Sequence, residues 1–237
     1  MLEAPPKCSR CKIGSFAVYG PAFTDSPQTI CKQRIETTTY RARQIILRSG
    51  ERPSRVFTLY SGWACRFMQF PDGRRQILSF LLPGDSIVVE GLCAEASPLP
   101  FAVRAITNVS LCAFQISAMR RVVLATDRNL DTFTRTVLAQ MTSMDRRLAD
   151  VGRRRAIGRL AQLILDIEAR LDQRGLVHEG EFDFPLRQDD IADALGLTVA
   201  HVNRTLVGLR KAGLIAPGRG KLRVLDRTRL QQIAVDE

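Results

Sequence analysis

The stretch LRQDDIADALGLTVAHVNRTLVGLRKAGLI, Leu186 to Ile215, decides how the C-terminal part of the chain folds. It divides into a short helix from about Gln188 to Leu195, a turn at Gly196-Leu197-Thr198 and a second helix from about Val199 to Ala212. Ile191, Leu195, Leu197, Val202 and Leu206 form the inner face, and Ala192 is small where two helices cross closely. Gly196 supplies a backbone conformation that side chains resist, and Thr198 is a cap for the second helix. These features predict a helix-turn-helix. Two short β runs follow, LIA and LRVL, joined by PGRGK, which read as the hairpin wing of a winged helix.

Taking the packing residues away from the second helix leaves Ala200, His201, Asn203 and Arg204 near its exposed start. Arginine pairs bidentately with guanine O6 and N7 in the major groove, and asparagine with adenine N6 and N7, so Arg204 is the first candidate for a base contact. Around this reader stand expected phosphate contacts: Arg187 and Gln188 at the start of the first helix, Thr198, Thr205, Arg210 and Lys211 on the second, and Arg219 and Lys221 on the wing.

The charge agrees with a polyanionic partner. The 237 residues carry 35 Lys and Arg against 24 Asp and Glu, a net +11. From Thr198 to Arg229 eight residues are basic and only Asp226 is acidic. No apolar run is long enough for a membrane span, and MLEAPPKCSR has no signal-peptide core, so a cytoplasmic protein with reduced thiols is expected. No nucleophile motif, Walker loop or HExxH occurs, which argues against catalysis.

Upstream the pattern changes twice. From about Ile35 to Ser117 short strands (RIETTTY, QIILRSGE, RVFTLYSG, WACRFMQF, RRQILSFLLPGD, FAVRAIT, VSLCAFQIS) are punctuated by glycine and proline, and PDG joins two of them as a hairpin. After Ser117, Leu130, Phe133, Val137, Met141, Met144, Leu148 and Val151 recur at spacings of 3 and 4, one stripe of a helix about 37 Å long. Such a stripe is either the core of its own domain or a two-chain seam; its near-3.5 period favours the seam and a homodimer. The expected organisation is α+β: an N-terminal arm (1–30), an antiparallel β-roll (31–118), a dimerisation helix (119–151) and a winged helix-turn-helix (152–237).

This order, together with DIADALGLTVAHVNRTL and the run LYSGWACRFMQFPDGRRQILSFLLPGD, resembles the CRP/FNR family of bacterial transcription regulators over about Ile35 to Leu225. The resemblance implies a jelly roll of the cyclic-nucleotide-binding type, a homodimer on a palindromic TTGA-like promoter site with Arg204 reading its guanine, and action on RNA polymerase. It departs from members that bind cyclic AMP. Val88-Val89 and Leu99-Pro100 stand where those members have Gly-Glu and Arg-Ser, so the cyclic phosphate would lack its charged partner. Relatives also often carry Glu at the position of Ala200, where it accepts from cytosine, so specificity at that base pair is expected to be relaxed, or His201 and Asn203 to take over.

KCSRCK places Cys8 and Cys11 at C-x2-C spacing. Oxygen-sensing members of the family hold an iron–sulfur cluster with three N-terminal cysteines and one in the roll, and Cys112 matches that last position. The third is absent from its usual place near Tyr19, and Cys31 lies 20 positions beyond Cys11. An atypical iron–sulfur or zinc site of Cys8, Cys11, Cys31 and Cys112 therefore stands as the alternative to a plain regulator, beside independently reactive thiols.

Overall fold

The computed structural model describes residues 7–92 and 97–236. The chain divides into two compact units, Met1–Arg74 with Leu78–Thr142, and Arg75–Ile77 with Ser143–Glu237.

The first unit opens on 3-10 turns at Cys8–Arg10 and Gly14–Phe16 and two short helices, α1 (Gly20–Asp25) and α2 (Pro27–Gln33). The N-terminal arm is thus helical in part. Each helix has proline in its first turn, where the missing N–H costs nothing. Eight strands follow: β1 (Arg34–Tyr40), β2 (Ile45–Leu47), β3 (Arg55–Ser61), β4 (Ala64–Gln69), β5 (Arg75–Leu81), β6 (Ser86–Ile87), β7 (Ala102–Ala105) and β8 (Val109–Gln115). They form two four-stranded sheets, ordered β1-β8-β3-β6 and β2-β7-β4-β5. The PDG turn closes as expected, with Phe70 N–H donating to the Arg74 carbonyl at 2.9 Å and Gly73 at φ +84°.

Leu59, Val103, Val109 and Leu111 fill the roll's interior, and Val88 and Leu99 are buried in the same core. Gly62 ends β3 at φ +83°, where an added Cβ would lie 2.1 Å from the Asn108 carbonyl oxygen. A second core covers the outer side of the β1-β8-β3-β6 sheet. There Val18, Tyr19, Phe23 and Ile30 from the arm meet Val56 and Phe114. Tyr19 is anchored by a 2.7 Å hydrogen bond between its hydroxyl and that of Thr58 and by an edge contact to the Phe114 ring at 5.4 Å.

The helical stretch after the roll is two helices, α3 (Ile116–Val123) and α4 (Asp127–Arg153). The break is capped. Thr126 Oγ1 accepts from Asn129 N–H at 3.2 Å, and Asn129 Nδ2 donates to the Val122 carbonyl at 2.9 Å.

The second unit contains α5 (Ala156–Asp172), β9 (Glu181–Asp183), α6 (Gln188–Leu195), α7 (Val199–Lys211), β10 (Ile215–Pro217), β11 (Lys221–Val224) and α8 (Arg227–Asp236). Leu160, Ile164, Ile167 and Leu171 of α5, spaced on one helical face, are buried. The wing is not a lone hairpin. β11 pairs with β10 on one side and β9 on the other.

Candidate DNA-reading surface and thiol cluster

The helix-turn-helix forms where the sequence placed it, and its joints are the expected ones. Asp190 at the third position of α6 accepts from the Arg187 N–H at 3.3 Å, and Gly196 ends the helix in the left-handed region at φ +65°. Thr198 caps α7, its hydroxyl accepting from His201 N–H at 3.2 Å. Ala192, Ile191, Leu195 and Val202 are buried between the helices.

Ala200, His201, Asn203 and Arg204 are all exposed on the first two turns of α7, while Val202, Thr205 and Leu209 point inward. Arg187, Arg210, Lys211 and Arg219 are exposed too. Four expected phosphate contacts are otherwise engaged: Thr198 in the cap just described, and Thr205, Lys221 and Gln188. Thr205 is only 8% exposed and its hydroxyl donates to the His201 carbonyl at 2.8 Å, because an i−4 carbonyl is the nearest acceptor for an inward threonine. Lys221 is on the wing but pairs with Glu181 at 3.0 Å, and Arg223 lies 3.7 Å from the same carboxylate. That pairing lowers the Glu181 pKa and raises that of Lys221. Gln188 is half-buried and donates from Nε2 to Asn203 Oδ1 at 3.4 Å. This cross-helix contact could not be read from spacing; it turns the Asn203 amide N–H groups outward.

The α4 stripe is part buried and part exposed. Phe133 is buried and Val137 partly buried in the arm core, so these two serve the chain's own packing. Leu130, Met141, Met144 and Leu148 are 43%, 55%, 52% and 76% exposed, and Leu138, outside the expected stripe, is 56% exposed. The side chain of Val151 lies outside the described residues.

Cys8, Cys11, Cys31 and Cys112, scattered over more than 100 positions of sequence, are gathered in the arm core, with Cys8 and Cys112 buried and Cys11 and Cys31 at its edge. Cys8 and Cys31 are engaged with each other. Burial, then a hydrogen bond with Cys31, pushes the Cys8 thiol up to about 12. Cys31 is lowered, first by the Cys8 backbone N–H and then by its thiol. Cys112 is raised by burial, against the Arg34 guanidinium whose Nη1 is 3.9 Å from its sulfur. Arg34 was not foreseen at this place. Among the described residues no three Cys, His, Asp or Glu side chains are close enough together to hold a metal ion. The set therefore matches the family's ligand types without forming a ready four-thiolate site. Cys65 is buried in β4, and Cys93 lies outside the described residues.

Among the described residues no helix is long and apolar enough to cross a membrane.

Comparison with known proteins agrees with both units. Residues 158–233 match the model of the Crp-like helix-turn-helix domain, and residues 37–126 that of the cyclic nucleotide-binding domain. The chain is 29% identical over 237 residues to the transcriptional activator protein FnrL of Cereibacter sphaeroides, covering 98% of this chain and 93% of FnrL. It is 30% identical over 201 residues to the nitrogen fixation regulation protein FixK of Rhizobium meliloti, covering 83% and 82%. Among solved structures, FixK2 from Bradyrhizobium japonicum superposes with a TM-score of 0.73 at 25% identity, covering 84% of this chain and 96% of that one. With its roll, its long helix and its helix-turn-helix DNA-binding domain, the chain belongs to the CRP/FNR family of transcription regulators.

Proposed function

We propose that the protein acts as a homodimer that reads an inverted repeat of TTGA-like half-sites in promoter DNA, with α7 in the major groove, and thereby governs RNA polymerase at those promoters. The observation that carries this reading is the start of α7, where Ala200, His201, Asn203 and Arg204 are exposed together on a helix whose other face is packed. Arg204 takes the guanine. Asn203, its Oδ1 accepting from Gln188, offers donors to an acceptor edge. Arg187, Arg210, Lys211 and Arg219 supply phosphate contacts. The exposed apolar residues of α4 support the dimer, since Leu138, Met141, Met144 and Leu148 would otherwise face water as one patch. In a cytoplasmic, non-catalytic regulator this is the whole of the output. Cyclic AMP is disfavoured as its effector, because Val88 and Leu99 belong to the closed apolar core of the roll. The test is band shift on a duplex with inverted TTGA half-sites against one with both guanines replaced: a shift of the first only supports the reading, and equal shifts oppose it.

A second reading, a redox or metal-dependent regulator, draws support from the gathering of Cys8, Cys11, Cys31 and Cys112 in the core shared with Phe133 of α4. Were an iron–sulfur cluster or zinc bound, these four thiols would hold it and its loss would register in that core. Protein prepared without air that is brown and carries iron, or holds zinc, favours this reading. Colourless protein without either metal that still shifts the duplex leaves the first reading alone.

A further inference from the structure

We infer that Arg159 is a positioning residue that latches the helix-turn-helix to the joint between α4 and α5, and so fixes the half-site spacing the dimer accepts. The inference rests on the dimeric readout proposed above. Arg159 lies on the first turn of α5, half-buried. Its guanidinium spans two main-chain carbonyls far apart in sequence. Nε donates to the Arg154 carbonyl at 2.8 Å, and Nη1 donates to the Leu195 carbonyl at 3.0 Å.

Both acceptors stand at joints. Arg154 follows Arg153, the last residue of α4, and precedes Arg155, whose extended backbone (φ −68°, ψ +159°) opens α5. Leu195 is the last residue of α6, followed by the left-handed Gly196. The turn bonds there go elsewhere: the N–H groups of Gly196 and Leu197 both reach the Ala192 carbonyl. The Leu195 carbonyl is thus one of the helix-end acceptors that need an outside donor, and a cation at a helix C-terminus also suits the helix dipole. A planar guanidinium holds two acceptors in a fixed relation, which a flexible ammonium cannot do. Arg159 therefore ties the entry to α7, two residues after Gly196, to the end of the helix that carries the exposed dimer face.

In a two-fold dimer the distance and rotation between the two reading helices select the half-site spacing. One base pair more or less moves a half-site by about 3.4 Å and turns it by about 35°. A latched reader cannot follow that displacement, and an unlatched one can.

The test measures anisotropy titrations on duplexes carrying two inverted TTGA half-sites whose central spacer changes in steps of one base pair, and on a duplex with one half-site. The parent is expected to prefer one spacer and to lose about tenfold in affinity one step away on either side. Arg159→Gln is expected to flatten this profile to within about threefold while its single half-site affinity stays within about twofold of the parent. Arg159→Lys, which reaches one carbonyl, is expected to fall between them and guards against a glutamine variant that fails to fold. An unchanged spacer profile in both variants overturns the latch, as does an equal loss on every duplex including the single half-site. A parent with no preference for inverted over single half-sites refutes the dimeric reading itself, and the latch with it.

Discussion

Replacing Tyr19 with phenylalanine removes one oxygen from the place where the N-terminal arm meets the roll. Tyr19 and Thr58 are each 3% exposed, and their hydroxyls lie 2.7 Å apart. The ring keeps its edge contact with Phe114, so packing is retained and only the hydrogen bond is lost. Thr58 Oγ1 is left without its Tyr19 partner in a site closed to bulk water. An orphaned buried hydroxyl costs about 1–3 kcal/mol. At roughly 2–4 °C per kcal/mol for a chain of this size, Tyr19→Phe should lower the melting temperature of the first unit by about 2–12 °C. Adding Thr58→Val should restore much of the loss, because two apolar partners leave nothing unsatisfied. Calorimetry on the parent, both single variants and the double variant gives the coupling directly. A Tyr19→Phe variant that melts within about 1 °C of the parent, with no coupling to Thr58→Val, would refute the docking of the arm.

Three further outcomes follow from the same geometry. Gly62→Ala meets the Asn108 carbonyl in a left-handed conformation and should cost at least about 1–3 kcal/mol in denaturant unfolding. Met144→Glu or Leu148→Glu places a charge in the exposed α4 face and should turn a dimer into monomers by sedimentation, with loss of inverted-repeat binding. Glu168 is 5% exposed on α5, and burial raises its pKa above the ordinary 4.5 despite Arg227 at 3.7 Å. A raised folded-state pKa gives stability that is present below the unfolded value and is lost as pH rises through the folded one. Glu168→Gln should therefore gain in melting temperature relative to the parent as pH is raised from 4.5 to neutrality, and a constant difference would contradict this.

The DNA-binding half was legible because its signals are local. Ala192, Gly196 and Thr198 each do one mechanical task within a few residues of its cause, and the structure puts each to that task. The strands from β1 to β8 were legible from alternation and turn residues, except the two-residue β6, which is too short to show a period. What escaped was set by tertiary partners. Phe133 shares the spacing of Met141 and Met144, yet it faces the arm because α3 folds back onto the sheet there. Thr205 looked like a surface hydroxyl, but it lies on the packed face of α7. Lys221 was free on paper because its partner Glu181 lies 40 positions away, on the short strand β9. The meeting of Cys31 with Cys8 depended on two short helices in an arm that shows no periodicity.

Arg204 carries the central claim, and its truncation tests that claim most directly. The affinities of the parent and of Arg204→Ala are compared on two duplexes, one with inverted TTGA half-sites and one with both guanines replaced. Reading of the guanine by Arg204 predicts that the variant loses about 1–3 kcal/mol, roughly 5- to 150-fold, on the first duplex and no longer distinguishes it from the second. A variant that keeps the parent's preference for guanine would contradict the account.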